Sequence, residues 1–144
     1  MINKTTEIAK QVIQLEIESL SEMASRINGD FSKAIDIILQ TKGRVIVIGV
    51  GKSGIIGKKI AATLASTGTP SFFVHPSEAY HGDLGMIKPI DCALLISNSG
   101  ETEEVIRLIP FLQYQGNQMI AITGNLQSSL AQHSHAVLDV SVKC

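Results

Sequence analysis

The 144-residue chain has no tryptophan and two cysteines, Cys92 and Cys144. Two cysteines so far apart make no disulfide framework, no CxxC pair and no metal cluster. Aromatic residues are 4% of the chain, and Tyr80 and Tyr114 stand alone, giving no stacking array for nucleic acid. Neither sign of charge dominates. Twelve Lys and Arg against 13 Asp and Glu leave a net charge of −1, so no general basic field draws in a polyanion. Long apolar runs are also missing: Val45–Val50 and Cys92–Ile96 fall far short of the ~20 residues that span a bilayer. The opening residues, MINKTTEIAKQ, lack the apolar core of a signal peptide, and a cytoplasmic location is expected. What the chain does have is apolar content. With 44% hydrophobic and 17% charged residues it reads as a globular chain, and its length suits one domain.

The first 42 residues read as two helices. Ile8, Val12, Leu15, Leu20, Met23 and Ile27 form an apolar stripe that Ile13 and Ile17 widen. Such a face belongs against the domain itself, with a second subunit as the other cover. Asn28-Gly29 stops this helix, and Asp30 is placed to cap the next, which carries Phe31, Ala34, Ile35, Ile38 and Leu39. After Gly43 the pattern changes to five short apolar runs: Val45–Gly49, Ser71–His75, Cys92–Ser97, Gln118–Thr123 and Ala136–Val142. The first, third and fourth are nearly continuous, as in strands covered on both faces. Helical segments lie between them at Ser53–Ser66, Thr102–Gln115 and Ser128–His133, with Pro110 expected to kink the second or mark its last turn. Pro76–Pro89 reads mostly as loop, with room for a helical turn. Strand–helix alternation implies right-handed crossovers and an α/β three-layer sandwich, a parallel flavodoxin-like sheet in the order 2-1-3-4-5 over residues 43–144, preceded by the two helices.

In such sheets ligands bind beyond the carboxyl ends of the strands. The loop after the first strand, Gly49-Val50-Gly51-Lys52-Ser53-Gly54, matches G-x-G-x-x-G. A dinucleotide site would want an acidic residue at the end of the second strand, where the chain reads Phe73-Val74-His75-Pro76. A P-loop would want glycine at position 46, which is Ile46. A tight turn accounts for the glycines but not for Lys52 at the crevice. The loop after the third strand, Ser97-Asn98-Ser99-Gly100-Glu101-Thr102, sets three hydroxyls in six residues where a strand turns into a helix. Hydroxyls and free backbone N–H groups suit a phosphate monoester. Ordinary capping by Ser99 would explain one hydroxyl, not three. Glu101, Glu103 and Glu104 suit the first turn of the helix, and Glu104 is placed to reach inward as an acid or base. His75 and His81 bracket the loop after the second strand and make a weak metal signal, while His133 and His135 read as solvent-facing.

The run VIGVGKSGIIGKKIAATLASTGTPSFFVHPSEAYHGDLG, with ISNSGETEEV and ITGNLQSSLA after it, resembles a sugar isomerase (SIS) domain, and within that family the arabinose 5-phosphate isomerases. The resemblance covers nearly the whole chain and implies interconversion of D-ribulose 5-phosphate and D-arabinose 5-phosphate, supplying 3-deoxy-D-manno-octulosonate for lipopolysaccharide or capsule. It implies a sugar-phosphate ligand, no required metal or organic cofactor, and a homo-oligomer, commonly a tetramer. By matching position, Ser97, Ser99 and Thr102 would hold phosphate with Gly51 and Ser53 nearby. Gly68 and Thr69 would line the sugar site. Lys52, His81 and Glu104 would be catalytic, and His75 would match a position where some members bind an inhibitory zinc ion. In the family the fifth strand leads into a segment with a second glutamate, a closing helix and a later histidine. This sequence ends at Lys143-Cys144, where that segment is expected, so a truncated domain without the family's regulatory cystathionine-beta-synthase pair is expected. The remaining readings are a non-catalytic phosphosugar-binding module and, disfavoured by the end of the second strand, a dinucleotide-binding oxidoreductase.

Overall fold

The structure is a computed structural model that describes residues 2–143; Cys144 lies outside them. Five parallel strands form one sheet: β1 (Val45–Ile48), β2 (Ser71–Val74), β3 (Cys92–Ile96), β4 (Met119–Thr123) and β5 (Ala136–Asp139). Their order is β2-β1-β3-β4-β5, the expected flavodoxin-like one. The register pairs Ile48 of β1 with Val74 of β2 and with Leu95 of β3, so the carboxyl ends of these three strands share one edge.

Helices cover both faces. Helices α2 (Gly29–Gln40) and α3 (Gly51–Ser66) lie on one, where Ala34 and Ala61 pack with Val45, Val47, Leu94 and Ile120. The other face holds α4 (Pro76–Tyr80), α5 (Glu103–Ile106), α6 (Ile109–Gln115) and α7 (Ser129–His133), over Ile46, Ile48, Leu95 and Ala121. A 3-10 turn at Asp83–Met86 follows α4. Strands β1 and β3 are buried at every position, which is why their sequences run apolar without alternation. Each such side chain adds about 1.5–3 kcal/mol of burial over an exposed one.

Four local expectations are corrected. The expected helix over Thr102–Gln115 is two helices, because Pro110 has no N–H for the carbonyl of Ile106 and its ring crowds the turn before it; α6 restarts with this proline in its first turn. The cap of α2 is Asn28, whose Oδ1 accepts the Asp30 amide at 2.9 Å. Asp30 instead accepts the amide of Val137 on the edge strand at 3.0 Å, shielding a donor that the sheet leaves unpaired. Helix α3 begins at Gly51, not Ser53.

The fourth correction concerns α1 (Ile2–Ser25). Its apolar stripe is not buried in the domain: Ile8, Val12, Leu15 and Leu20 stay 50–60% exposed. Polar contacts tie the end of α1 to the chain after β5. Arg26 sits 3.2 Å from Asp139 and also donates to the Ser141 carbonyl, and Lys143 lies 3.8 Å from Glu22. Hydrogen bonding from Ser141, then the Arg26 guanidinium, holds the Asp139 carboxyl below its ordinary value. A carboxyl depressed in the folded state binds its proton first in the unfolded chain, so its contribution is complete above the usual carboxylate range near pH ~4 and is lost as pH falls through the lower folded value. Acid titration of unfolding is expected to show a steeper loss in the native chain than in Asp139→Asn. Superimposable slopes would show that Asp139 contributes nothing.

Candidate active site

At the carboxyl edge the chain leaves β1 through Gly49 and Val50 and turns directly into α3. A side chain at Gly54 would meet the Gly49 carbonyl at 2.9 Å, so strand and helix touch only because both positions are glycine. Gly51 has φ +58° and open space around it, so the turn asks for glycine by backbone conformation alone. No side chain caps α3 at Val50, and the first intrahelical donor is the Gly54 amide, bonded to the Val50 carbonyl at 3.1 Å. The N–H groups of Gly51, Lys52 and Ser53 therefore head a 16-residue helix uncapped, with the positive end of its dipole at the crevice. Lys52 is exposed there.

The loop after β3 is organised from within. Ser97 is 2% exposed. Its Oγ accepts the Gly100 amide at 3.0 Å and shares a 2.7 Å hydrogen bond with Thr102 Oγ1. Either hydroxyl can donate in that pair, and Thr102 is the one at the surface, half-buried. Ser99 is exposed; its Oγ accepts the Glu101 amide at 3.1 Å, which leaves its own proton available. Ser99 and Thr102 are thus the outward hydroxyls, and Ser97 is the inner one that fixes their spacing. The ordinary capping weighed for Ser99 is not made on α5, whose preceding residue is Thr102, without a side-chain cap.

Glu101 lies outside α5, contrary to its expected place in the first turn. Its Oε1 accepts the Ser129 amide at 2.5 Å and its Oε2 the Ser129 hydroxyl at 2.9 Å. These bonds lower the pKa of the carboxyl, the backbone one first. The charge is thereby tied to the start of α7 instead of opposing an anion in the loop. Gly100 reinforces the same joint. Its φ is +70°, its carbonyl accepts the Leu130 amide, and a side chain on it would lie 2.0 Å from Ser128 Oγ. Ser128 in turn caps α7 through the Ala131 amide at 3.2 Å. On the other side, the Asn98 carbonyl accepts the Gly124 amide. These joints were not legible in the sequence; only the glycines hinted at close approach.

Glu104 is exposed in the first turn of α5, next to the loop. His81 is exposed at the end of α4, after β2. The topology therefore brings Lys52, His81, Ser97, Ser99, Thr102 and Glu104 to one edge, on the adjacent strands β2, β1 and β3. Gly68 and Thr69 do not join them. They follow α3 and precede β2, where Pro70 accepts the Val45 amide, and that is the amino edge of the sheet. His75 caps α4: its Nδ1 accepts the Ser77 amide at 3.2 Å and lies 2.8 Å from Ser77 Oγ, so the neutral ring carries its proton on Nε2 and would bind a metal only by giving up this cap. Among the described residues no group of three His, Cys, Asp or Glu side chains is gathered around a metal position. His135, expected to face solvent, is exposed, yet its Nδ1 accepts the Met119 amide at 3.0 Å, and His133 Nδ1 lies 2.7 Å from the Ser129 carbonyl. A cavity of about 580 Å³ lies on the β5 side of the sheet, apart from the β2-β1-β3 loops, between Arg26, Phe31 and the β5 residues Val137–Asp139, with Leu126 of the loop after β4 in its wall. It is lined mainly by apolar groups and offers no hydroxyl cluster of the kind a phosphate needs, so the loop edge is the better candidate.

Residues 37–143 match the SIS domain. The chain belongs to the SIS-domain family. It is 53% identical over 134 residues to arabinose 5-phosphate isomerase KdsD of Pseudomonas aeruginosa, covering 93% of this chain and 41% of the relative. It is 49% identical over 132 residues to arabinose 5-phosphate isomerase KpsF of Escherichia coli O6:H1, covering 91% of this chain and 40% of the relative. Among solved structures it superimposes with a TM-score of 0.91 on an E. coli CFT073 protein in complex with arabinose 5-phosphate, at 43% identity, covering 98% of this chain and 75% of that one. This SIS chain spans about two fifths of the length of the curated relatives it matches. Its packed glycines, Gly49 and Gly54, serve strand–helix contact, which a dinucleotide motif shares, and β2 runs into His75 and Pro76 where that motif wants an acidic residue.

Proposed function

We propose that this SIS domain is the sugar-phosphate isomerase unit of an arabinose 5-phosphate isomerase, interconverting D-arabinose 5-phosphate and D-ribulose 5-phosphate. The observation that carries the reading is the β3 loop, which presents the Ser99 and Thr102 hydroxyls on the same edge as the uncapped amides of Gly51, Lys52 and Ser53. That set matches a phosphate monoester, and the similarity to relatives named for this isomerisation supports the pentose.

The chemistry then needs three tasks. A base removes the proton from C2 of the open-chain aldose, and an enediolate forms across C1 and C2. The proton returns to C1, and proton exchange between the two oxygens completes the ketose. Glu104 is assigned as the carboxylate that carries the carbon-bound proton. Lys52 is assigned to the developing negative charge on oxygen. His81 is assigned to ring opening and to the proton on oxygen. No metal or organic cofactor is assigned to the reaction, and His75, on giving up its cap on α4, is the proposed position of an inhibitory zinc ion. Gly68 and Thr69 are left out of this scheme. The exposed apolar face of α1 supports assembly into a homo-oligomer, which we take as a tetramer. The proposed setting is the cytoplasm, with the product supplying 3-deoxy-D-manno-octulosonate for lipopolysaccharide or capsule. No helix among the described residues is long and apolar enough to cross a membrane.

Proton NMR of the chain with D-arabinose 5-phosphate in heavy water tests the assignment. The expected result is ribulose 5-phosphate formation with deuterium entering carbon. Saturable binding with no exchange would favour the non-catalytic phosphosugar module.

A further inference from the structure

We propose that Tyr80 and Arg107 form a positioning pair that holds the His81 turn against the joint between α5 and α6, and so sets His81 relative to Glu104. The inference rests on the isomerase reading above and adds to it two residues that touch none of the reacting atoms.

The turn that carries His81 has little of its own to hold it. Helix α4 is five residues long, and Gly82 follows His81 at φ +137°, a conformation open to glycine and strained for other residues. His81 is exposed and donates its backbone N–H to the carbonyls of Ser77 and Glu78, bonds that stay inside the turn. An imidazole on such a turn needs an outside anchor to keep a fixed distance from a carboxylate on another element. Tyr80, the residue before it, supplies one. Its hydroxyl donates to the Arg107 carbonyl, and its ring lies 4.6 Å under the Arg107 guanidinium. Both ends of Arg107 are thus engaged by one side chain.

Arg107 is an apt anchor point because it follows α5 directly, three positions after Glu104. Helix α5 is a single turn of four residues, so fixing its end fixes Glu104, about 4.5 Å away along the axis. The carbonyl that Tyr80 uses lies at the break before Pro110, where the helical ladder is interrupted. Pro110 breaks the helix at this joint, and the Arg107 carbonyl there takes the Tyr80 hydroxyl that ties the His81 turn to the end of α5. A staple that only stabilised the surface would tie these elements without regard to catalysis, and the two cases are separable by experiment.

Tyr80→Phe keeps the ring and loses the hydroxyl. For a positioning pair, kcat for arabinose 5-phosphate is expected to fall about 10- to 100-fold, with KM changing by less than about 2-fold. In a His81→Ala background, adding Tyr80→Phe is expected to cost nothing further, because the residue acts through His81. Arg107→Lys, which keeps a cation over the ring and the carbonyl in place, is expected to hold more activity than Arg107→Gln. Tyr114→Phe, an exposed tyrosine on α6, is the control and is expected to match the native chain. Equal losses from Tyr80→Phe with and without His81, or no loss at all, would overturn the proposal. A native chain that does not isomerise would sink the isomerase reading instead, and the pair is then judged by nitrogen-15 relaxation of the His81 and Gly82 amides. Faster motion in Tyr80→Phe than in the native chain is expected; identical relaxation would overturn the pair.

Discussion

Glu104→Gln is expected to lower kcat for arabinose 5-phosphate by about 10²–10⁴-fold while leaving the ligand's affinity within a few fold. The amide is nearly the same size as the carboxylate and keeps an acceptor, but it cannot take a proton from carbon. The first turn of α5 already carries two acidic residues, and Glu104 is exposed, so removing one charge does not disturb packing. Lys52→Met is expected to cost about 10²–10³-fold, the scale of losing one group that stabilises an oxyanion. Deuterium exchange into carbon separates the two. It is expected to vanish with Glu104→Gln and to persist, slowed, with Lys52→Met. Exchange surviving at the native rate in Glu104→Gln would remove this carboxylate from the scheme.

Gly100→Ala is expected to destabilise the domain by about 3 kcal/mol or more, since positive φ costs a side chain about 1–2 kcal/mol and the new carbon also collides with Ser128. The methyl would lie 2.0 Å from Ser128 Oγ and 2.2 Å from its Cβ, so the Ser128 cap of α7 has to move. The loop that carries Ser99 and Thr102 moves with it, and phosphate affinity is expected to fall alongside stability. Gly116 supplies the comparison. It has φ +80° at the end of α6 with nothing near the position a side chain would take. Gly116→Ala is therefore expected to cost only about 1–2 kcal/mol. By differential scanning calorimetry the Gly100 variant should melt about 5 °C or more below the Gly116 one. Equal melting temperatures would show that the joint between the loop and α7 yields without cost.

The strand order and the sheet's carboxyl edge were legible because continuous apolar runs alternate with helical ones, and that pattern has few right-handed solutions. The hydroxyls of the β3 loop were legible as a cluster, but their division of labour was not. Ser97 looks like Ser99 in sequence, and only the fold shows that one is buried and the other exposed. Glu101 was misplaced because an acidic residue before a helix has a local explanation, whereas its partner, Ser129, stands 28 positions away. The stripe on α1 has the period of a buried helix, yet periodicity states only that a face is apolar and not what covers it. Gly68 and Thr69 entered through family resemblance, although a segment between a helix and the next parallel strand has to return to the amino edge.

The most direct test is a titration of the nitrogen-15-labelled chain with D-arabinose 5-phosphate, followed by amide chemical shifts, with unphosphorylated arabinose as the blank. Saturable shifts centred on Gly51–Ser53 and on the loop from Ser97 to Thr102 are expected, and none with the blank. Shifts confined to Arg26, Phe31 and the β5 residues Val137–Asp139, with the β3 loop silent, would contradict the assignment.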